Sequence, residues 1–194
     1  MGLFRAEGPI ALGGGRSLGL TGSHIAARLA LAVVDSGRPL VVGCAKGADA
    51  AAVQALSGSN QLQIYSAWGA NAEGSCGWSA VREVQRAYVQ GSPVAWWAGG
   101  GPLVALSNRL SRRTRAVGAA CQAGAITVWG SPGAIGTALL ARTVAARGLP
   151  VLAVAMGFGA GQLPPLGAGA WAGLRSWPGE GSAAIWQPSQ GRLL

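Results

Sequence analysis

Acidic residues and lysine are scarce in this sequence. Its 194 residues include only 6 Asp and Glu, and all but one of its 15 basic residues are Arg, which leaves a formal net charge of +9. Because Arg pairs bidentately with phosphate and carboxylate groups, this balance favours an anionic partner: a nucleotide, a nucleic acid or an acidic protein. A GC-rich genome, which encodes Arg where another encodes Lys, explains the composition equally well.

Cysteine and histidine are also rare. Cys44, Cys76 and Cys121 form an odd set without CxxC spacing, which argues against a disulfide framework and against a structural zinc site. The single histidine, His24, stands beside a predicted helix start and is a weak ligand candidate. No cluster of acids, His or Cys has the spacing of metal ligands. The sequence therefore predicts neither a metal nor a cofactor.

Long apolar runs are missing as well. The segment 1–10 lacks the apolar core of a signal peptide, and the apolar stretch 151–174 is interrupted by Gln162, Pro164 and Pro165. Its uninterrupted part is shorter than the roughly 20 residues that a membrane-spanning helix needs. We therefore expect a soluble cytoplasmic protein with no membrane partner.

Short apolar runs alternate with helical patterns along the chain. We predict strands at 9–12, 38–43, 62–68, 125–130 and 149–155, a short glycine-ended run at 92–102 and a late strand at 183–188. We predict helices at 23–37, 49–56, 79–90, from 103 onward, and at 138–148. Fully apolar strands that alternate with helices are typical of a parallel sheet covered on both faces. The fold class is α/β, a Rossmann-like three-layer sandwich with a mainly parallel sheet.

Three glycine-rich loops follow predicted strands, at 13–17, 43–49 and 130–137. Glycine lets the backbone approach a phosphate, and the free N–H groups of a helix start point at it. In a parallel sheet such loops meet at one edge, where ligands bind. A single loop of this kind is as well explained by a tight turn, whereas three together favour a nucleotide-sized anion site. None matches a P-loop or Rossmann fingerprint.

The only lysine and one of the few acids share the turn in VVGCAKGADAAA, residues 41–52. On a functional interpretation, Lys46 meets phosphate while Asp49 fixes the loop or a ribose hydroxyl. On a structural one, Lys46 is solvated and Asp49 is a helix cap that contributes about 0.5–2 kcal/mol.

Four segments carry a family resemblance: IALGGGRSL, GRPLVVGCAKGADAAA, GPLVALSNRLSRR and AITVWGSPGAIGTALLARTVAARGLPVLA. Together they resemble the SLOG superfamily, which includes the Lonely Guy enzymes and the DNA-processing protein A family, and most of all its small YspA/YpsA-like members. The resemblance covers about residues 9–155. It implies a nucleotide-binding domain at 1–160, followed by a Trp-, Pro- and Gly-rich extension at 161–194 packed on the same domain.

The resemblance and the glycine loops together give the candidate ligand-binding residues. They are Gly13, Gly14, Arg16, Ser17, Gly43, Lys46, Gly47, Asp49, Asn108, Arg109, Ser131, Gly133, Gly136 and Thr137. The catalytic Glu that Lonely Guy enzymes carry after their glycine-Thr loop has no counterpart, because no acid occurs between Glu83 and Glu180. Hydrolysis of an N-glycosidic bond needs a carboxylate. We therefore expect a nucleotide-binding protein or sensor rather than an enzyme, and predict no catalytic residue.

Two alternatives to this prediction stay open. The net charge and the arginines at 109, 112, 113 and 115 favour a single-stranded nucleic-acid binder like DNA-processing protein A. A nucleotide N-glycosidic-bond hydrolase is the other.

The tryptophans suggest self-association. Trp96 and Trp97 would face opposite sides of a strand, and with Trp171, Trp177 and Trp186 they would leave exposed aromatic surface. We predict a homodimer or larger closed oligomer, which SLOG-like proteins commonly form. The alternative is that all eight tryptophans pack within one core.

Overall fold

The computed structural model describes residues 4, 6–75, 78–177 and 181–189, with the backbone alone at 78–79 and 174–177. The strands are β1 Ile10–Gly14, β2 Leu40–Val42, β3 Leu62–Tyr65, β4 Val94–Ala95, β5 Gly124–Trp129, β6 Val151–Met156, β7 Gly169–Trp177 and β8 Gly181–Pro188. The helices are α1 Gly19–Asp35, α2 Ala48–Ala55, α3 Trp78–Val89, α4 Leu106–Ala120 and α5 Ile135–Ala145, with a short 3₁₀ helix at Ala160–Gln162.

The strands form one eight-stranded sheet in the order β4-β3-β2-β1-β5-β6-β8-β7. All neighbours from β4 to β6 are parallel, while β8 runs antiparallel to β6 and β7 antiparallel to β8. The predicted α/β fold with a mainly parallel sheet is confirmed. The described part of 161–194 contributes two strands to this same sheet, and the domain boundary at 160 stays a prediction.

Both faces of the sheet are covered, so its strands are apolar on both sides. Ile10 and Leu12 of β1 face a core shared with α1, α2 and α3, whereas Ala11 between them belongs to a second core with α4 and α5. This alternation is the pleat of a strand buried on both faces. It confirms the three-layer arrangement.

Some element boundaries differ from the sequence-based prediction. Helix α1 begins four residues before the predicted start at 23, and α4 begins at Leu106 instead of 103. Strand β3 ends at Tyr65 instead of 68, because the Ser66 hydroxyl turns the chain by donating to the Trp68 carbonyl at 3.0 Å. The late strand is confirmed as β8, and its antiparallel partner β7 was not predicted.

The adjacent tryptophans do not lie on a strand, so this premise of the oligomer prediction is wrong. Both stand in the turn after β4, where Trp97 adopts a φ of 55°. Trp96 packs edge-on against Tyr88, with ring centroids 5.4 Å apart, and Trp171 packs likewise on the buried Trp186. Every tryptophan whose side chain is described is buried or half-buried, whereas the Trp177 side chain and Cys76 lie outside the described residues.

Within the described ranges, no helix is both long and apolar enough to cross a membrane.

Candidate functional site

A cavity of about 490 Å³ opens at the carboxyl edge of the sheet. It lies at the carboxyl end of β1, where the strand order reverses direction: β2 and β3 follow on one side of β1, while β5 and β6 follow on the other. Such switch points are where open α/β sheets bind ligands, and the volume is typical of small-molecule sites. The lining comes from the end of β1 and the loop after it, the loop after β2 with Asp49, residues 107–117 of α4, and residues 134–140 at the start of α5.

Glycines bring the walls of the cavity close together. A Cβ on Gly43 would overlap the Arg113 guanidinium and the Asp49 carboxylate, and one on Gly14 would overlap the Val128 carbonyl oxygen. A Cβ on Gly13 would lie 2.7 Å from Leu140 Cδ2. Close packing therefore requires glycine at positions 14 and 43 whatever ligand the cavity holds, whereas a side chain at position 13 would displace the end of the Leu140 side chain.

The loop after β1 and the loop after β2 contact each other at Gly47. Its φ of 78° is a backbone conformation that favours glycine, and a Cβ there would overlap the Gly15 carbonyl oxygen. The Ala48 N–H donates to the same oxygen at 3.3 Å. The loop after β2 is thus held against the loop after β1.

A buried ion pair forms the floor of the site. Asp49, at the start of α2, accepts hydrogen bonds at Oδ2 from the Ala45 N–H at 3.1 Å and from Arg113 Nη1 at 3.0 Å. Burial raises the pKa of the Asp49 carboxyl, against the opposing effects of the Arg113 guanidinium, the Ala45 N–H and Arg16. Asp49 therefore fixes the loop that precedes α2, and its role in ligand binding stays a prediction.

Sequence reasoning grouped Arg113 with three other arginines of α4 and did not recognise it as a site residue. Both members of the Asp49–Arg113 pair have side chains only 6% exposed. The signal available in the sequence was a buried-face position on α4, since Arg113, Val117 and Arg109 recur every four residues on one face.

Two buried polar atoms of the lining have no hydrogen-bond partner. They are Arg113 Nε and Thr137 Oγ1, on residues that are 5% and 2% exposed. Thr137 is the third residue of α5, whose N-cap position Ala134 supplies no side-chain hydrogen bond. Arg113 of α4 and Thr137 of the first turn of α5 thus both belong to the lining, while the two unpaired atoms themselves are buried.

The structure brings half of the predicted site residues to the cavity wall: Gly13, Gly14, Arg16, Gly43, Asp49, Gly136 and Thr137. The others do not line it: Ser17, Lys46, Gly47, Asn108, Arg109, Ser131 and Gly133. Of these, Lys46 is exposed on the loop after β2, as the solvated interpretation predicts, and Ser17, Asn108, Ser131 and Gly133 are exposed too. His24 is exposed on α1, outside the lining. Their binding roles stay predictions.

Arg109 is buried and fully engaged with other loops. Its Nε, Nη1 and Nη2 donate to the carbonyls of Val104, Ala67 and Gly74 at 2.9, 2.9 and 2.8 Å. The guanidinium also lies 5.1 Å from the centre of the Trp97 ring, a cation–π contact. These contacts tie the loops after β3 and β4 to α4.

No group of three His, Cys, Asp or Glu side chains in the described part of the chain could hold a metal ion.

The sequence matches no protein-family model and no curated protein. Solved structures with a similar fold include two DNA processing proteins A. DNA processing protein A from Helicobacter pylori, which binds single-stranded DNA, has a TM-score of 0.54 and 15% identity over 74% of this chain. DNA processing protein A from Streptococcus pneumoniae has a TM-score of 0.54 and 17% identity over 78% of this chain. The chain spans 65% and 51% of their lengths, and at these identities the likeness shows a shared fold.

Proposed function

We propose that this protein binds single-stranded nucleic acid and that one phosphate group of the strand lies in the cavity at the carboxyl end of β1. The observation that carries the proposal is the shared fold with DNA processing protein A, one of whose members binds single-stranded DNA. The net charge of +9 supports it, because phosphate neutralisation supplies most of the sequence-independent affinity for a strand.

The charges around the cavity support the same proposal. Arg16 lies in the cavity wall with an exposed side chain, and Lys46 is exposed on the neighbouring loop. Arg112 and Arg115 are exposed on α4. The one acid of the lining is Asp49, whose charge is offset by Arg113. This edge of the sheet therefore attracts an anionic backbone.

Affinity for a single-stranded oligonucleotide is expected to fall steeply with salt. Each phosphate contacted contributes a slope of about 0.7 in log affinity against log salt, so four contacts give about a fifty-fold loss between about 50 and 200 mM. Fluorescence anisotropy with a labelled oligonucleotide measures this directly. Absence of binding at low salt, or an affinity that does not change with salt, would contradict the proposal.

Arg16→Gln and Lys46→Gln are each expected to weaken strand binding several-fold and to lower the salt slope by about 0.7. Arg86→Gln is the matched control, because Arg86 is an exposed arginine in the last turn of α3, where the helix has returned to the opposite edge of the sheet. Equal losses in all three variants would indicate a nonspecific charge effect and argue against a site at the cavity.

A free nucleotide is the second candidate ligand, and the cavity volume of about 490 Å³ favours it. Mass spectrometry of small molecules released from the purified protein would identify a tightly held nucleotide. Release of free base from nucleoside monophosphates would instead indicate the hydrolase, for which Asp49 is the acid in the cavity lining.

Self-association stays a prediction, but the adjacent tryptophans no longer support it, because they do not lie on a strand. Large apolar side chains are exposed elsewhere, with Leu20 at 93%, Val89 at 83% and Leu103 at 100%. Light scattering at micromolar concentration tests it, and a mass of one 19.3 kDa chain throughout would exclude the oligomer.

A further inference from the structure

Charge is distributed unevenly over the two faces of the sheet. Helices α4 and α5 cover one face and contain no acidic residue, whereas Asp35, Asp49 and Glu83 lie on the three helices of the other face. The exposed arginines of the acid-free face are Arg112 and Arg115 on α4, Arg142 on α5 and Arg147 just after α5. A GC-rich genome explains how many arginines the chain has, but it does not explain why the helices of one face lack acids.

The protein itself does not use most of these arginines. Within the described residues, three of them make no hydrogen bond and no ion pair: Arg112, Arg115 and Arg142. Arg147 differs, because its Nη1 donates to the carbonyls of Gly118 and Cys121 at 2.6 Å and so holds the end of α4. The three other guanidinium groups are free to bind an anion from outside, and each offers five N–H donors.

The free arginines of α4 begin beside the cavity. Ser111 and Thr114 line the cavity, and each is followed directly by one of the exposed arginines, Arg112 and Arg115. These two arginines are three residues apart, so they are neighbours on the helix surface with a rise of about 4.5 Å between them. The outer side of α4 therefore presents two cations next to the cavity wall.

Helix α5 continues the same surface. A Cβ on Gly118 of α4 would lie 2.7 Å from Thr143 Cγ2, so the two helices pack closely together. Arg142 immediately precedes Thr143 and is exposed. An acid-free surface with three free cations therefore extends from the cavity wall across both helices. We call it the arginine face, and its residues are Arg112, Arg115 and Arg142.

We infer that a single nucleic-acid strand with one phosphate in the cavity continues over the arginine face, where the three guanidinium groups bind further phosphates of the same strand. The inference rests on the proposed function and adds the path of the strand. Contacts to phosphate carry no sequence information, so binding along this path is independent of the base sequence. An anionic membrane surface would also suit the charge, but the fold shared with a protein that binds single-stranded DNA favours the strand.

The triple variant Arg112→Gln/Arg115→Gln/Arg142→Gln tests the path. Each lost phosphate contact lowers the slope of log affinity against log salt by about 0.7, so the variant should lose about 2 from the slope. It should bind a labelled oligonucleotide of about 16 nucleotides about a hundredfold more weakly than the wild type at about 0.1 M salt, and nearly equally near 1 M, where counterion release no longer contributes. Fluorescence anisotropy over a salt series measures both effects.

The matched control removes the same charge from the other face. Its changes are Arg28→Gln, Arg82→Gln and Arg86→Gln, all at exposed arginines of α1 and α3. The control should lose no more than about threefold in affinity, because charges farther from the strand than a Debye length of about 10 Å are screened. Both triple variants should melt within about 2 °C of the wild type, since the replaced side chains lie on the surface.

The path and the proposed function can fail separately. If the arginine-face variant loses no more affinity than the control while Arg16→Gln and Lys46→Gln weaken binding, the path is overturned and the cavity contact stands. If the arginine-face variant loses about a hundredfold while Arg16→Gln and Lys46→Gln have no effect, the arginine face stands and the cavity contact falls. If no oligonucleotide binds the wild type, both fall. Binding to phosphatidylglycerol vesicles that only the arginine-face variant loses would then assign this face to a membrane surface.

Discussion

Replacing Asp49 by alanine is expected to lower the free energy of unfolding by about 3–5 kcal/mol. The change leaves the Arg113 guanidinium buried without its carboxylate, at a site where both side chains are only 6% exposed. It also removes the acceptor of the Ala45 N–H. Urea denaturation followed by circular dichroism measures the loss, and a decrease below about 1 kcal/mol would show that the pair is not buried as described.

A surface ion pair provides the control for this prediction. Arg86 and Glu83 lie 3.7 Å apart on α3, with the arginine side chain 63% exposed. Glu83→Gln should cost at most about 1 kcal/mol, because water screens exposed pairs. The double variant Asp49→Ala/Arg113→Met should lose less stability than the two single changes added together, since it leaves no unpaired charge.

Gly43→Ala is expected to destabilise the protein by about 2–5 kcal/mol and to abolish phosphate binding. The added methyl group would overlap Arg113 Nη1 and Asp49 Oδ2, so the ion pair has to move or break. Thermal and urea unfolding measure the first effect, and calorimetric titration with phosphate measures the second.

Gly101→Ala is the matched glycine change. A Cβ at Gly101 meets no atom within 4 Å, and the position has no left-handed φ. It should change stability by no more than about 0.5 kcal/mol. If Gly43→Ala were equally neutral, the crowding of Arg113 against the loop after β2 would be refuted.

The sequence predicted the central sheet well because its strands are buried on both faces and therefore stand out as apolar runs between helical patterns. Strand β7 was not predicted, because it lies at the edge of the sheet and is irregular. It begins at a glycine, contains Gly173 and changes register against β8 between Ala172 and Arg175. Residues 169–174 are apolar, but the glycines among them and the lack of β-branched residues and of alternation are typical of a loop rather than of a strand.

Part of the site was predicted from the sequence. There is a physical reason why the glycine loops were found and the partner of Asp49 was not. Glycine loops can be located from local sequence, so the predicted residues at 13, 14, 43 and 136 lie in the cavity wall. The partner of Asp49 could not be located in this way, because Arg113 is 64 residues away and three other arginines share its helix. Lys46 attracted attention as the only lysine, yet it is exposed and outside the lining. Scarcity of a residue type in the sequence does not indicate where its side chain lies.

The order of the strands also determines when the cavity can form during folding. Strand β1 pairs with β2 nearby in sequence, but its other neighbour is β5, with Ile10 opposite Gly124. Closing so long a loop is entropically costly, and parallel pairings of distant segments form slowly. During synthesis on the ribosome, β1 to β4 can emerge and pair before the helix that carries Arg113 has packed on them. At that stage Thr137 has not yet been synthesised. The cavity is therefore a late product of folding, and a chain that stops before β5 has the glycine loops of β1 and β2 but no cavity.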